Sequence, residues 1–597
     1  MTRTTGPGLF QPHTLALAVA VGFAAPAQAV NFNIGEIEGQ FDSSLSVGAS
    51  WSMRSPDRDL IGPNNGGQGQ AQTGDDGRLN FKKGETFSKI FKGIHDLELK
   101  YRDTGVFVRG KYWYDFELKD EGRRFKDIDD HNRKEGAKSS GAEILDAFVY
   151  HNYAIGDLPG TVRAGKQVVS WGESTFIGNS INSINPIDVA AFRRPGAEIK
   201  EGLIPVNMLY LSQSLTDRLS MEAFYQLEWD QTIIDNCGTF FSTADVAADG
   251  CDSGYHIGSP AIAPLQPVAA AFGQGFRVDS EGVILPRAGD RDARDSGQWG
   301  LALRWLGDET EYGLYFMNYH SRTPIVSTQN AGQATLNALP GIIGTANGIV
   351  PGSGAGLAQS VMLGNGRYFL DYPEDIRLYG ASFSTTLPTG TAWSGEISYR
   401  PNLPLQINTT DMTLSLLNPI APGTAPVTAG PGQDNVGYRR KEVTQVQTTF
   451  THFFDQVMGA GRFTLVGEIG MAHVGGLESR EDLRYGRDSL FGAYGFRGDT
   501  HGFVTSTSWG YRVRGIWEYS NVFAGVNLKP NVSWSHDVDG YGPNGLFNEG
   551  AKAVSFGIDA DYRNTYTASL SYTDFFGGEY NTAVDRDFLA LSFGVSF

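Results

Sequence analysis

The sequence holds only two cysteines in 597 residues, and 19 % of its side chains are charged, against roughly a quarter in an average globular protein. Beyond residue 30 it has no apolar run of about 18 residues, so no helix is set to cross a bilayer, which takes about 20. Two cysteines are too few for a disulfide-knit scaffold or a cysteine-rich metal centre. Positive charge is short as well: 48 Lys and Arg against 66 Asp and Glu leave a net −18, which argues against a nucleic-acid partner. Catalytic patterns are missing too, with no Gly-x-Ser-x-Gly, His-x-Ser-x-Gly or His-Glu-x-x-His. The adjacent pairs His95-Asp96 and His536-Asp537 would point to opposite faces of a strand. No enzyme is expected.

Glycine (76 residues) and aromatic residues (36 Phe, 25 Tyr, 10 Trp) are abundant, at a mean hydropathy of −0.26. The glycines show no collagen period, and so many rings exclude whole-chain disorder. Length alone suggests about four domains. The first residues have another role: an apolar run from Leu15 to Ala25, followed by Pro26-Ala27-Gln28-Ala29, is a signal peptide over 1–29, with cleavage expected after Ala29. Export makes a disulfide feasible, and Cys237 and Cys251, 14 positions apart in a Gly/Ala/Asp-rich stretch, are expected to form it.

The chain alternates with a period of two. Phe41, Ser43, Leu45, Val47, Ala49, Trp51 and Met53 oppose Asp42, Ser44, Ser46, Gly48, Ser50 and Ser52, a strand with one apolar and one polar face. The pattern returns at Val106–Leu118, Leu219–Trp229, Trp299–Trp305, Trp509–Tyr519 and Leu589–Phe597. About 18 such segments are marked, and no segment of comparable length has a convincing 3.6-residue period. Their joins alternate: short at 102–105, 156–160, 216–218, 307–309, 388–390, 520–521 and 563–564, long at about 55–92, 119–142, 171–203, 230–296, 322–373, 401–441, 475–502, 537–551 and 576–585. Short turns on one side and long loops on the other mark an outer-membrane barrel. Hydrocarbon offers no partner to a free backbone, so a sheet in lipid must close on itself.

The expectation is an all-β, antiparallel, up-and-down transmembrane barrel of about 16 to 18 strands spanning 30–597 as one unit, in the outer membrane of a Gram-negative bacterium, amid outer-membrane lipid and lipopolysaccharide. Trp51, Trp113, Trp229, Trp299, Trp517, Tyr519 and Trp534 are candidates for interfacial girdles. Phe597, closing the last strand, resembles the signal read by the β-barrel assembly machinery. Inward-facing charges are of mixed sign, among them Arg109, Lys111, Glu222, Arg304, Glu396 and Arg400, with Arg512, Arg514 and Glu518 assigned to the lumen wall; as a set they are read as mutually paired wall residues.

One stretch departs from ordinary porin sequence: Gly165-Lys166-Gln167-Val168-Val169-Ser170-Trp171-Gly172-Glu173-Ser174-Thr175-Phe176, then Ile184-Asn185-Pro186-Ile187-Asp188 and Arg193-Arg194-Pro195-Gly196-Ala197-Glu198. With Trp509-Gly510-Tyr511-Arg512, His536-Asp537-Val538-Asp539-Gly540 and Asp585-Arg586-Asp587-Phe588, it resembles the bacterial outer-membrane family called domain of unknown function 1302. The resemblance implies a barrel without a settled substrate, and working partners such as a periplasmic lipid-transfer protein and an RND-type exporter.

From the residues themselves, Asn185 would cap a helix with Pro186 at its first position, Ile187 to Phe192 would form it, and Pro195-Gly196 would stop it. The apolar residues of this 171–203 segment need somewhere to pack, and the lumen is nearest. The expectation is a loop folded inward as a constriction or hatch, with Trp171, Glu173, Phe176, Arg193, Arg194 and Glu198 along the path of the cargo. A compact external loop is the alternative. No cofactor is expected; a Ca²⁺ ion on external loops, held by Asp537, Asp539, Asn544 and Glu549, is a minor option. The leading function is passage of hydrophobic or amphiphilic small molecules or lipids across the outer membrane. The alternatives are a lipid-export or envelope-assembly component, and a structural barrel with a blocked lumen.

Overall fold

The computed structural model describes residues 30–492 and 499–597; the signal peptide expected at 1–29 lies outside the described residues. The alternating segments form eighteen strands: β1 (Ile37–Ser52), β2 (Thr86–Tyr101), β3 (Thr104–Asp115), β4 (Ser140–Ile155), β5 (Leu158–Gln167) and β6 (Val206–Ser214). Next come β7 (Leu219–Gln226), β8 (Trp299–Leu306), β9 (Thr310–Tyr319), β10 (Ile376–Thr386), β11 (Ala392–Gln406) and β12 (Tyr438–Asp455). The last six are β13 (Arg462–Gly475), β14 (Thr507–Phe523), β15 (Val526–Asp539), β16 (Lys552–Tyr562), β17 (Tyr566–Phe576) and β18 (Phe588–Ser596). Each pairs antiparallel with its sequence neighbour, and β18 returns to β1 in the register Ser44↔Ser596 to Ser52↔Phe588. The barrel is therefore closed. Phe597 finishes the seam, exchanging two backbone hydrogen bonds with Ser43 (2.6 and 2.8 Å). Below it, a short strand Val30–Ile34 pairs with Ile37–Phe41 and covers the edge that β18 leaves open.

The pleat sorts the side chains. On β11, Glu396, Ser398 and Arg400 face inward and are buried, whereas Ile397 and Tyr399 between them are exposed on the outer surface. Such an apolar exterior belongs in hydrocarbon. Rings gather in two outer bands. One runs Trp299–Phe316–Tyr379 with centroids about 5 Å apart at the ends facing the long loops. The other includes Phe383–Trp393–Phe450 and Phe463–Trp517 near the short turns.

Two of the expected girdle residues lie elsewhere. Trp113 pairs with Lys92 across β2 and β3 and so faces inward, its Nε1 donating to Lys138 O. Trp229 sits in a long loop against Tyr372.

Nine long loops, L1 to L9 in chain order, leave one end of the barrel. The turns at the other end are two to six residues long, and several use left-handed residues such as Arg102 (φ 55°) and Gly156 (φ 62°). L4 (227–298), L5 (320–375) and L6 (407–437) share an apolar core of Leu265, Leu339, Ile342, Met362, Tyr368 and Leu416. L5 contains two helices, Gln333–Ile349 and Gly354–Asn365, inside what the alternation marks only as a long join. Cys237 and Cys251 form the expected disulfide within L4.

Candidate functional site

L3 (168–205) leaves β5 and contacts inward-facing side chains on both sides of the barrel. Its first half is held by wall carboxylates. Glu468 of β13 accepts the amides of Thr175, Phe176 and Ile177 at 3.0, 2.6 and 2.7 Å. Glu396 of β11 accepts those of Glu173 and Ile181. Three consecutive N–H groups on one carboxylate make a charge-assisted clamp, stronger than neutral hydrogen bonds. The loop's carbonyls are met by the complementary donors: Arg400 to Ser180 O, Gln445 to Gly178 O and Gln447 to Ile177 O. Trp171 is 1 % exposed, packs on Phe224 and Tyr315, and donates its Nε1 to Glu222 of β7 at 2.7 Å.

The second half reaches the opposite wall. Lys92 of β2 bonds Gly196 O and Glu201, while Lys111 of β3 bonds Asp188 and Glu201 O. Pro195 sits over Gly48 of β1, where a Cβ would come within 2.7 Å of the ring. That approach needs glycine at Gly48.

The expected helix is shorter than predicted: it runs Val189–Phe192, capped by Asp188 accepting from Ala191 N. Asn185 does not cap it. Its side chain accepts from Val169 N and donates to Gln167 O and Ile204 O, tying the two ends of L3 together. A second turn, Ile199–Gly202, begins at Glu198 in a capping box with Glu201.

Arg193 pairs with Asp235 of L4 (2.5 Å) and lies over Phe241. Arg194 bonds Gly136 O and stacks on Trp113, 4.3 Å from the ring centroid. Glu198 accepts from Ser44 of β1 and pairs with Lys200. Although L3 is bracketed by the wall, Phe176, Ile187, Phe192 and Ile199 remain exposed.

Arg512, Arg514 and Glu518 share a face with Glu468 by the β13–β14 register. Arg512 bonds Asp537 (2.6 Å). Other wall charges pair too, Arg109 with Asp96 and Asp146, Arg304 with Glu222 and Glu311. Three of the residues considered for Ca²⁺ are engaged separately: Asp537 with Arg512, Asn544 with Pro404 O, Glu549 with Gly540 N.

Above L3 lies a chamber of about 680 Å³. Val189 and Arg193 of L3 line it, together with Val246 and Tyr255 of L4, Arg487 and Val504 of L7 (476–506), Phe547 of L8 (540–551) and Tyr580 of L9 (577–587). Its wall mixes aliphatic and aromatic side chains with Ser, Thr, Asn and Gln in similar number, and carries four charged residues, Arg193, Asp235, Arg487 and Asp488. Burial pushes the Asp235 carboxyl up, against the opposing pull of Arg193. A smaller pocket of about 70 Å³ adjoins Arg193 and Arg194 between Phe87, Trp113, Phe240 and Phe241.

Glu468, the loop's strongest anchor, was not singled out in the sequence reading. Its signal is a lone carboxylate on the inner face of a strand whose neighbours on that face are Val466, Gly470 and Ala472.

Sequence comparison matches residues 11–597 to the family described as protein of unknown function (DUF1302). No curated protein matches the chain. Among solved structures, OccAB1 of Acinetobacter baumannii is 9 % identical, with 96 % of this chain and 98 % of that one covered at a TM-score of 0.39. The outer membrane protein opdK of Pseudomonas aeruginosa is 9 % identical, covering 93 % and 98 %, at 0.38. Salmonella typhi OmpF, in complex with daunomycin, is 8 % identical, covering 95 % and 100 %, at 0.33.

Proposed function

Since the chain belongs to the DUF1302 family, whose description leaves the function open, we propose from its own geometry that it is a channel of the Gram-negative outer membrane for hydrophobic or amphiphilic small molecules or lipids. L3 is the constriction, and the cargo meets it from the chamber above. The chamber carries this reading: at about 680 Å³ it falls in the volume range of small-molecule sites, and Val189, Val246, Val326, Val504, Tyr255 and Phe547 give it apolar contacts among its polar ones. Arg193 and Arg487 at its wall, paired with Asp235 and Asp499, are the cations that an anionic head group would meet, and the exposed Phe176, Ile187, Phe192 and Ile199 continue an apolar surface along L3. A general porin for hydrated solutes has no use for apolar side chains there, because water must wet every part of such a path.

The test is flux into liposomes carrying the purified protein, comparing a membrane-impermeant aromatic sulfonate with a neutral sugar of similar mass. The reading expects the sulfonate to enter at least about tenfold faster, a preference worth about 1.4 kcal/mol. Replacing Arg193 by Gln is expected to reduce that preference. Equal entry of sulfonate and sugar contradicts it.

A further inference from the structure

L1 (53–85) and L4 meet at a group of buried acids that the channel reading does not use. Asp75 and Asp76 stand at the start of the short helix Asp76–Asn80, and Asp245 of L4 is docked beside them by its amide, which donates to Thr73 O at 2.8 Å. The three side chains are 0, 5 and 1 % exposed. One ligand oxygen of each lies within 4.8 Å of those of the other two. Two oxygens on one Ca²⁺, each at about 2.4 Å, can be no further apart than about 4.8 Å.

Hydrogen bonding is incomplete here. Asp75 Oδ2 accepts from Gly62 N and Asn65 Nδ2, and Asp245 Oδ2 accepts from Asp76 N. The other oxygen of each, Asp75 Oδ1 and Asp245 Oδ1, is buried and accepts nothing. A buried carboxylate oxygen without a partner is costly. The local charge is also unbalanced. Lys126 bridges Asp76 (2.9 Å) and Glu281 (2.6 Å), so one ammonium serves two of four neighbouring carboxylates, and Arg78 is committed to Asp585. Arg586, which is buried, interacts electrostatically with Asp245 but bonds neither free oxygen.

We propose that Asp75, Asp76 and Asp245 bind one Ca²⁺ ion, which joins L1 to L4 at the wall of the chamber. The donors are all oxygen, the preference of a hard cation; Zn²⁺ takes nitrogen and sulfur more readily. Mg²⁺ is less suited, because it dehydrates reluctantly and a buried group leaves little room for its waters. Asp76 serves both Lys126 and the ion, since each carboxylate oxygen has two lone pairs. Thr73, two residues before Asp75, and Val246, which follows Asp245, line the chamber, so the ion braces the surface that cargo touches in the channel reading.

The full-length protein in detergent, stripped with EDTA and dialysed, is titrated with CaCl₂ by calorimetry. The proposal expects one ion per chain, with affinity about tenfold or more weaker in Asp245→Asn and in Asp75→Asn, because ligand charge sets Ca²⁺ affinity. Asp279→Asn, in the neighbouring His256–Asp279–Glu281 group, should leave it unchanged. No uptake by the wild-type protein overturns the proposal, a result that depends on no variant folding. Binding that survives both aspartate substitutions, or that only Asp279→Asn weakens, places the ion elsewhere and overturns it equally.

Discussion

Glu468 concentrates the account at the residue scale, since one carboxylate secures three amides of L3. Glu468→Gln keeps the shape but removes the charge, and hydrogen bonds to charged groups contribute about 1.5–3 kcal/mol each against about 1 for neutral ones. Hydrogen exchange of the Thr175, Phe176 and Ile177 amides is expected to quicken by about tenfold or more while the strand amides of β13 keep their protection. The sequence alone showed Glu396 and Arg400 as inward charges, since alternation assigns faces. It could not show Glu468 gripping L3, because that contact joins residues more than 290 positions apart.

The acids of L1 and L4 give a pH dependence with a definite sign. Burial pushes Asp75, Asp76 and Asp245 up from the ordinary 3.8, Asp76 to about 6, with Lys126 opposing the rise, Glu281 reinforcing it for Asp75 and Asp76, and the two neighbouring aspartates reinforcing it for Asp245. A carboxyl whose pKa is higher folded than unfolded is stabilising below its unfolded value, and that contribution is lost as pH climbs through the folded one. In EDTA, the L1–L4 contact should therefore be firmest below about pH 4 and loosen through about pH 6. Limited proteolysis of L1 at pH 4.5 and 7.5 with an acid-tolerant protease reads this directly; faster cutting at the lower pH contradicts it.

At the scale of elements, strands were legible and loop interiors were not. Alternation is a local signal, readable wherever one face meets lipid and the other the lumen. The helix Gln333–Ile349 escaped notice because Gly341, Gly344, Gly348 and Pro340 disguise it, although Leu339, Ile342 and Ala346 carry the three- and four-residue steps that its packing uses. The short helix of L3 was foreseen, but its cap was assigned to Asn185. Asn185 and Asp188 are both good caps by type, and only the closing of the loop on itself decides that Asn185 bonds Gln167 and Ile204 instead. The Cys237–Cys251 bridge closes a loop whose restriction is worth about 3 kcal/mol in the chain-entropy picture. Replacing both cysteines by Ser should speed proteolysis within 230–260 and leave the thermal unfolding of the barrel unchanged, because the bridge constrains L4 alone.

For the whole molecule, the parity of short and long joins carried the closed barrel from sequence to structure, and nine long loops fall in the places the alternation left for them. The same parity cannot tell which loop turns inward. L3 does so because its backbone N–H and C=O groups find Glu468, Glu396, Arg400, Gln445 and Gln447 on one wall and Lys92 and Lys111 on the other, which satisfies a polar backbone inside the barrel. The claim that L3 narrows the path is the centre of the account. Its most direct measurement is single-channel conductance in planar bilayers of the wild-type protein and of a form lacking 176–200. The account predicts a several-fold rise in conductance when the segment is removed; an unchanged conductance contradicts it.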